Sequence, residues 1–156
     1  MFPIRRKKKS PSQFPISKPK RSPNLIKRLD KVFSAYIRVR DAMPNGYFRC
    51  ISCGQIKTFD KADCGHYWSR SHMATRFSED NCSAECSYCN RMTGGEHMIG
   101  YRENLIRKIG QSRFDYLTVA HNQTKKWSDF ELQAMIDHYR KEAKRIASEK
   151  NIKLNI

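Results

Sequence analysis

The chain has 156 residues, of which 31 are lysine or arginine and 15 aspartate or glutamate, giving a formal charge of +16, and only 38% are hydrophobic. That length suits one domain with tails, and so lean a core commonly needs a staple such as a metal. The basic excess points to a polyanion, with nucleic acid first and an anionic membrane surface as the rival, and no run of about 18 apolar residues is present to make a spanning helix.

Residues 1–22, MFPIRRKKKSPSQFPISKPKRS, are expected to be a disordered basic tail, because little apolar surface is there to offset the entropy of ordering. The stretch Arg5 to Lys9 would add non-specific phosphate contacts. This start lacks the apolar core of a signal peptide. The six cysteines are therefore expected in a reducing cytoplasm, where paired spacing reads as metal rather than disulfide. Ser22 and Pro23 offer an N-cap and a first-turn proline. Leu25, Ile26, Leu29, Val32, Phe33, Tyr36 and Ile37 then recur at helical spacing, which predicts a helix from about 23 to 42. Its other face carries Lys27, Arg28, Lys31, Arg38 and Arg40, either solvated or against DNA.

Pro44-Asn45-Gly46 stops that helix. Tyr47 to Arg49 and Gln55 to Phe59 read as a hairpin around the Cys50–Cys53 pair, and Gly54 lets the chain turn back over a metal. Ala62 to Trp68 reads as a strand running into an irregular loop with Ser69, Arg70, Ser71, His72 and Arg76. Helices are predicted from Ser87 to about Met92 and from Met98 to Ile109, broken apart by Thr93-Gly94-Gly95, and a short one around Phe114, Leu117 and Val119. A last helix, from about 129 to 148, opens on a capping box of Ser128 with Glu131. Leu132, Met135, Ile136, Tyr139, Ala143 and Ile146 form one face of it. The domain body is thus expected to span 23–150.

Cys50-x2-Cys53, a gap of 32 residues, then Cys86-x2-Cys89 is the spacing of a tetrahedral zinc site. Four thiolates suit soft zinc and leave no open position, so this Zn²⁺ is expected to hold the fold rather than react. Cys64 and Cys82 read as small buried hydrophobes, with Cys82 as the alternative for one of the four ligands.

Cutting a phosphodiester with water needs a base for the water, a cation for the developing charge and a frame for both. Histidine suits the base, and oxygen donors suit Mg²⁺ or Mn²⁺. Asp63, His66, Asn81 and Asn90 supply those types within 28 residues. Each also has a plainer reading: Asp63 and Asn81 as turn residues, and His72 as a surface residue or phosphate contact.

The order Cys-x2-Cys, Gly-His, Asn, Cys-x2-Cys-Asn resembles the HNH (His-Me finger) endonucleases and, among them, the NinG (Rap recombination endonuclease) family of lambdoid phages. The matching text is KVFSAYIRVRDA, YFRCISCG, DCGHYWSR, RFSEDNCSAECSYCNRMTGG, GYRENLIRKIG and KKW, covering about residues 24 to 145. The resemblance implies an α+β fold with a zinc-stapled ββα-metal core and flanking helices before and after. It implies cleavage of branched DNA, Holliday junctions and D-loops, in phage recombination. Carried over by position, His66 is the general base, Asn81 braces the loop that positions it, and Asn90 is a ligand of the catalytic Mg²⁺ or Mn²⁺. Many members carry the other ligand directly before the base, where this chain has Gly65. Asp63 is the first substitute, with His72 and Asp80 as alternatives.

Arg70, Arg76 and Arg91 flank this centre and are expected to grip phosphates, with surface solubility as the alternative. Tyr67 and Trp68 read as core residues, or as platforms for an unpaired base. His97, His121 and His138 receive no role. The rival to an enzyme is a non-catalytic zinc module that binds DNA or recruits a recombination partner. Two opposed cuts in a four-way junction favour a homodimer, with the last helix as the candidate contact, and no membrane partner is expected.

Overall fold

The computed structural model describes residues 23–91 and 95–156; the predicted tail at 1–22, the Met92 helix end and the Thr93-Gly94 part of the helix break lie outside the described residues. The architecture is α+β, with two small antiparallel ribbons among five α-helices and two short 3-10 turns in the described part. Helix α1 spans Pro23–Asp41, strands β1 and β2 span Tyr47–Arg49 and Ile56–Thr58, and strand β3 spans Ala62–His66. Strand β4 spans Cys82–Cys86, followed by α2 (Ser87–Arg91), α3 (Gly95–Ile109), α4 (Gln111–Ala120) and α5 (Asp129–Glu149).

Most predicted elements stand within a residue or two of their expected bounds. Three differ. Gly95, assigned to the break, opens α3. The strand from Ala62 stops at His66 instead of Trp68, because the backbone beyond it is recruited by Asn81. Strand β4 is not legible in the residue pattern, although the ββα resemblance implies a second strand: CSAEC shows no alternation, since both its faces are buried. An alternating pattern is legible only when one face meets water.

The hydrophobic stripe of α1 meets that of α5. Leu29, Val32, Phe33, Tyr36 and Ile37 from α1 pack with Leu132, Ile136, Tyr139 and Ala143 from α5. Rings of Phe33 and Tyr139 cross edge-to-face at 4.9 Å. The apolar face of α5 is therefore spent on its own chain, which removes the reason for assigning that face to a dimer contact. The Ser128–Glu131 capping box is formed as predicted. At the far end of the pair, the Lys150 amine donates to the carbonyls of Val39 (2.9 Å), Arg40 (2.9 Å) and Ala42 (2.6 Å). One ammonium thus satisfies the last orphan acceptors of α1 and complements its dipole.

Strands β3 and β4 pair in the register Asp63↔Glu85, Cys64↔Ala84, Gly65↔Ser83, His66↔Cys82. One face of this ribbon joins the α1–α5 core through Cys64 and Cys82. The opposite side meets α3, where the buried Tyr101 hydroxyl donates to the Gly65 carbonyl (3.0 Å) and Lys108 to the Ser83 hydroxyl (3.1 Å). Asp41, at the end of α1, pins the edge: its carboxylate accepts from the Ala84 N–H (2.8 Å) and from Lys108 (2.8 Å), and pairs with Arg40. No described helix is long and apolar enough to cross a membrane.

The Lys150 clamp can be checked directly. Lys150→Met keeps the aliphatic stem and removes three donors, so unfolding in urea is expected to become easier by about 1–3 kcal/mol. Hydrogen exchange should locate the loosening in the last turn of α1. Unchanged protection there would show that water replaces the amine at no cost.

Candidate metal centre

Cys50 and Cys53 lie in the turn between β1 and β2, Cys86 ends β4, and Cys89 lies in α2. Their four sulfurs all fall within 4.8 Å of one another. Gly54 adopts φ +70°, which lets the chain double back, with the Gly54 N–H on the Cys50 carbonyl and the Cys50 N–H on that of Gln55, both at 2.9 Å. The Cys86 N–H points at Cys50 Sγ (3.3 Å), a contact that favours a thiolate there. Burial pushes Cys50 up to about 11 and raises Cys89 as well. Burial opposes ionisation of Cys86 too, but hydrogen bonds from Cys89 hold it below the ordinary thiol range. Four thiols this close resist ionising together unless a cation sits among them. The donor set fits zinc, and a filled tetrahedral shell would tie β1–β2 to β4–α2.

Cys82 is not one of the four. It lies with Cys64 and His66, the three ligand atoms again within 4.8 Å of one another. This second group could also hold a metal by distance. Its cysteines are sunk in the α1–α5 core, however, and burial raises the Cys82 thiol well above its usual value. Three donors also leave one corner open. The reading of Cys64 and Cys82 as buried thiols fits these surroundings better.

Strand alternation divides the expected catalytic residues. Cys64 and His66 face the α1 side. Asp63 and its cross-strand partner Glu85 face the other. There the Asn90 Nδ2 donates to Asp63 Oδ2 (3.2 Å), so Asp63 and Asn90 are brought together. Zinc at Cys89 would fix the neighbouring Asn90 against β3. Neither alternative to Asp63 joins them: the His72 ring bonds the His121 carbonyl (3.1 Å), and Asp80 pairs with Arg113. Glu85, which nothing in the sequence singles out, is buried beside Asp63. The Ser52 hydroxyl donates to its Oε1. Burial chiefly raises the Glu85 carboxyl above its usual range, against the opposing pull of Ser52 and His97, and Asp63 adds to the rise.

His66 stands at the end of β3 with Nε2 3.1 Å from the Arg76 carbonyl and Nδ1 3.3 Å from that of Cys64. Burial, with Arg70 nearby, lowers its pKa, so the ring is neutral near pH 7. The carbonyl of Arg76 is placed by Asn81. Asn81 is fully buried; its Oδ1 accepts from the Trp68 N–H (2.8 Å), and its Nδ2 donates to the carbonyls of Trp68 (2.8 Å) and Thr75 (3.1 Å). One amide thus bridges both ends of the loop that carries Arg76.

Arg76 is not a free phosphate grip. Its guanidinium forms a two-pronged pair with Asp30 of α1 at 3.0 and 2.6 Å. Arg70 and Arg91 are exposed. Tyr67 packs on Tyr101 and Phe114, and Trp68 stacks on His121 at 3.6 Å, so both rings have protein partners.

Residues 5–149 match the family model described as the bacteriophage lambda NinG protein. Protein ninG of Escherichia phage lambda is 34% identical over 121 residues, which cover 76% of this chain and 55% of that protein. Protein ninG of Salmonella phage P22 is 32% identical over 121 residues, covering 76% and 56%. The chain spans about half the length of the curated relatives it matches. No solved structure matches it significantly.

Two outcomes are expected. Metal analysis of the purified protein should find zinc that is lost in Cys86→Ser and kept in Cys64→Ser; equal loss in both would reassign the second cluster as a ligand set. Asn81→Ala should strand three loop groups and cost about 3 kcal/mol, read by denaturant unfolding, with faster hydrogen exchange confined to residues 67–80.

Proposed function

The chain belongs to the NinG family, and on that premise we propose that it is a metal-dependent endonuclease of HNH type that hydrolyses branched DNA, such as Holliday junctions and D-loops, during phage recombination. One observation carries the reading. Asp63 and Asn90, oxygen donors on β3 and α2, meet at 3.2 Å directly beside a four-cysteine staple. The order β3, β4, α2 matches the implied ββα finger, with the cysteine cluster at its base.

In this reading His66 removes a proton from the attacking water as the new P–O bond forms and the old one breaks. Its neutral state suits a base, and Asn81 supports it through the loop and the Arg76 carbonyl. Mg²⁺ or Mn²⁺ held by Asp63 and Asn90 would stabilise charge on the phosphate and the departing oxygen. Because His66 faces away from Asp63, its ring has to leave the Arg76 carbonyl when DNA binds. Catalytic contacts are commonly assembled only in the substrate complex. Arg70 and Arg91 are the exposed cations that would grip phosphates. Branched DNA is the proposed partner, with recombination proteins and a second copy of the chain as further ones.

A second reading is favoured by that same separation. With both ring nitrogens of His66 near carbonyls, the domain could bind branched DNA without cutting it, as a zinc-containing accessory module.

The two are told apart with a labelled four-way junction in Mg²⁺ or Mn²⁺. Cleavage by the wild type is expected, falling by roughly 10²–10⁴-fold in His66→Ala while binding persists. Binding without cleavage by the wild type would sink the enzyme reading and leave the accessory module. Arg91→Ala should weaken binding to all sequences alike and lower the salt slope by about one.

A further inference from the structure

The Asp63–Asn90 pair leaves a chemical question open: what completes the oxygen shell of a hard cation there, given that position 65 has no side chain? The answer lies on the neighbouring strand. A Cβ built on Gly65 would fall 2.8 Å from Glu85 Cβ and 3.1 Å from its carboxyl carbon, and into Glu85 Oε2. The space that a residue at 65 would fill is already taken by the Glu85 carboxylate. Gly65 is therefore required by Glu85, and an alanine there would have to drive the carboxylate out.

The electrostatics of this corner are also unusual for the molecule. Asp63 and Glu85 are direct cross-strand partners, and like charges in that relation repel. Glu85 is only 6% exposed. Its Oε1 accepts from Ser52, and among the described residues no hydrogen bond is found on its Oε2. Among the described residues no lysine or arginine pairs with either carboxylate, although the chain holds 31 such cations. Asp30, Asp41 and Asp80, by contrast, each have a lysine or arginine partner. A buried carboxylate facing another, with one oxygen unclaimed, is costly unless a cation joins them.

We infer that Glu85 is the missing ligand: Oε2 of Glu85, a carboxylate oxygen of Asp63 and, once its amide turns, the Oδ1 of Asn90 form an oxygen site for a divalent cation of the Mg²⁺ or Mn²⁺ class. Oxygen donors of this kind select hard cations and not zinc, which keeps the site chemically separate from the neighbouring thiolates. Ser52 gives Glu85 a second role as a link. It lies between Cys50 and Cys53, so the staple fixes the rotamer of the Glu85 carboxylate through Oε1 and leaves Oε2 for the metal. The inference rests on the nuclease reading for its biological use, but the site itself does not depend on catalysis.

The test is Mn²⁺ binding to the full zinc-loaded chain without DNA, read from the loss of the free Mn²⁺ signal in electron paramagnetic resonance. The wild type should bind Mn²⁺, and Glu85→Gln should bind at least roughly 10-fold more weakly with its zinc content unchanged. Gly65→Ala should weaken binding in the same way without removing any donor. Wild-type affinity in Glu85→Gln, or no Mn²⁺ binding by the wild type, would overturn the inference. If Glu85→Gln loses its zinc, the wild type alone decides. Fe²⁺ in place of Mn²⁺, with ascorbate and peroxide, should cut the backbone near 63–65 and 85–90, and cuts elsewhere would overturn the site. His66→Ala separates the two claims. It should bind Mn²⁺ normally, and a wild type that binds Mn²⁺ through Glu85 yet leaves junctions intact would end the nuclease reading while the site stands.

Discussion

The pairing of β3 with β4 is the constraint on which the rest depends. Side chains alternate along a strand, so a slip of one residue would send every functional group to the opposite side. In the observed register, Cys64 and His66 turn toward α1 and Asp63 turns toward α2 and α3. Several contacts hold that register. Asp41 accepts from the Ala84 N–H, Arg40 reaches the Cys82 carbonyl at 2.8 Å, and Tyr101 reaches the Gly65 carbonyl. None of these lies in the ribbon, and each comes from a helix packed against it. The short ribbon borrows its precision from the larger helical core.

The same logic explains how so small a domain can place a polar site. A ribbon of five residues a side buries too little to specify its own geometry. Here one face is fixed by packing on the α1–α5 core, and the far end brings its two cysteines to within 4.8 Å of those of the β1–β2 turn, where a metal would tie the two together. The loop from Tyr67 to Ser78 lacks regular structure, and the single buried amide of Asn81 closes it. Packing, the cysteine cluster and one amide thus each belong to a different stretch, and the polar residues sit where the three meet.

What was legible in the sequence followed from local pattern. The stripe of α1, the capping box at Ser128, the turn at Gly46 and the cysteine spacing all report on near neighbours along the chain. What was not legible depended on distant pairing. Strand β4 is buried on both faces and shows no alternation. Glu85 acquires meaning only from facing Asp63 and lying over Gly65. Arg76 looks like a phosphate contact until Asp30, 46 residues away, claims it. The stripe on α5 looks like spare apolar surface until α1 covers it. Asp63 was singled out by its residue type and by the resemblance, and its hydrogen bond with Asn90 is a product of the fold.

The lysine that closes the end of α1 has a consequence for how the molecule comes into being. Lys150 lies 111 residues beyond Val39, and α5 lies nearly as far beyond the stripe it covers. On a ribosome adding about 5–20 residues per second, α1 is complete roughly 5–20 s before its partner emerges. Through that interval its apolar face has only partial cover, and the contacts that need it are long-range and entropically slow to close. The α1–α5 core on which one face of the ribbon packs is therefore completed late, so the nascent chain is expected to reach its full stability only once α5 has docked.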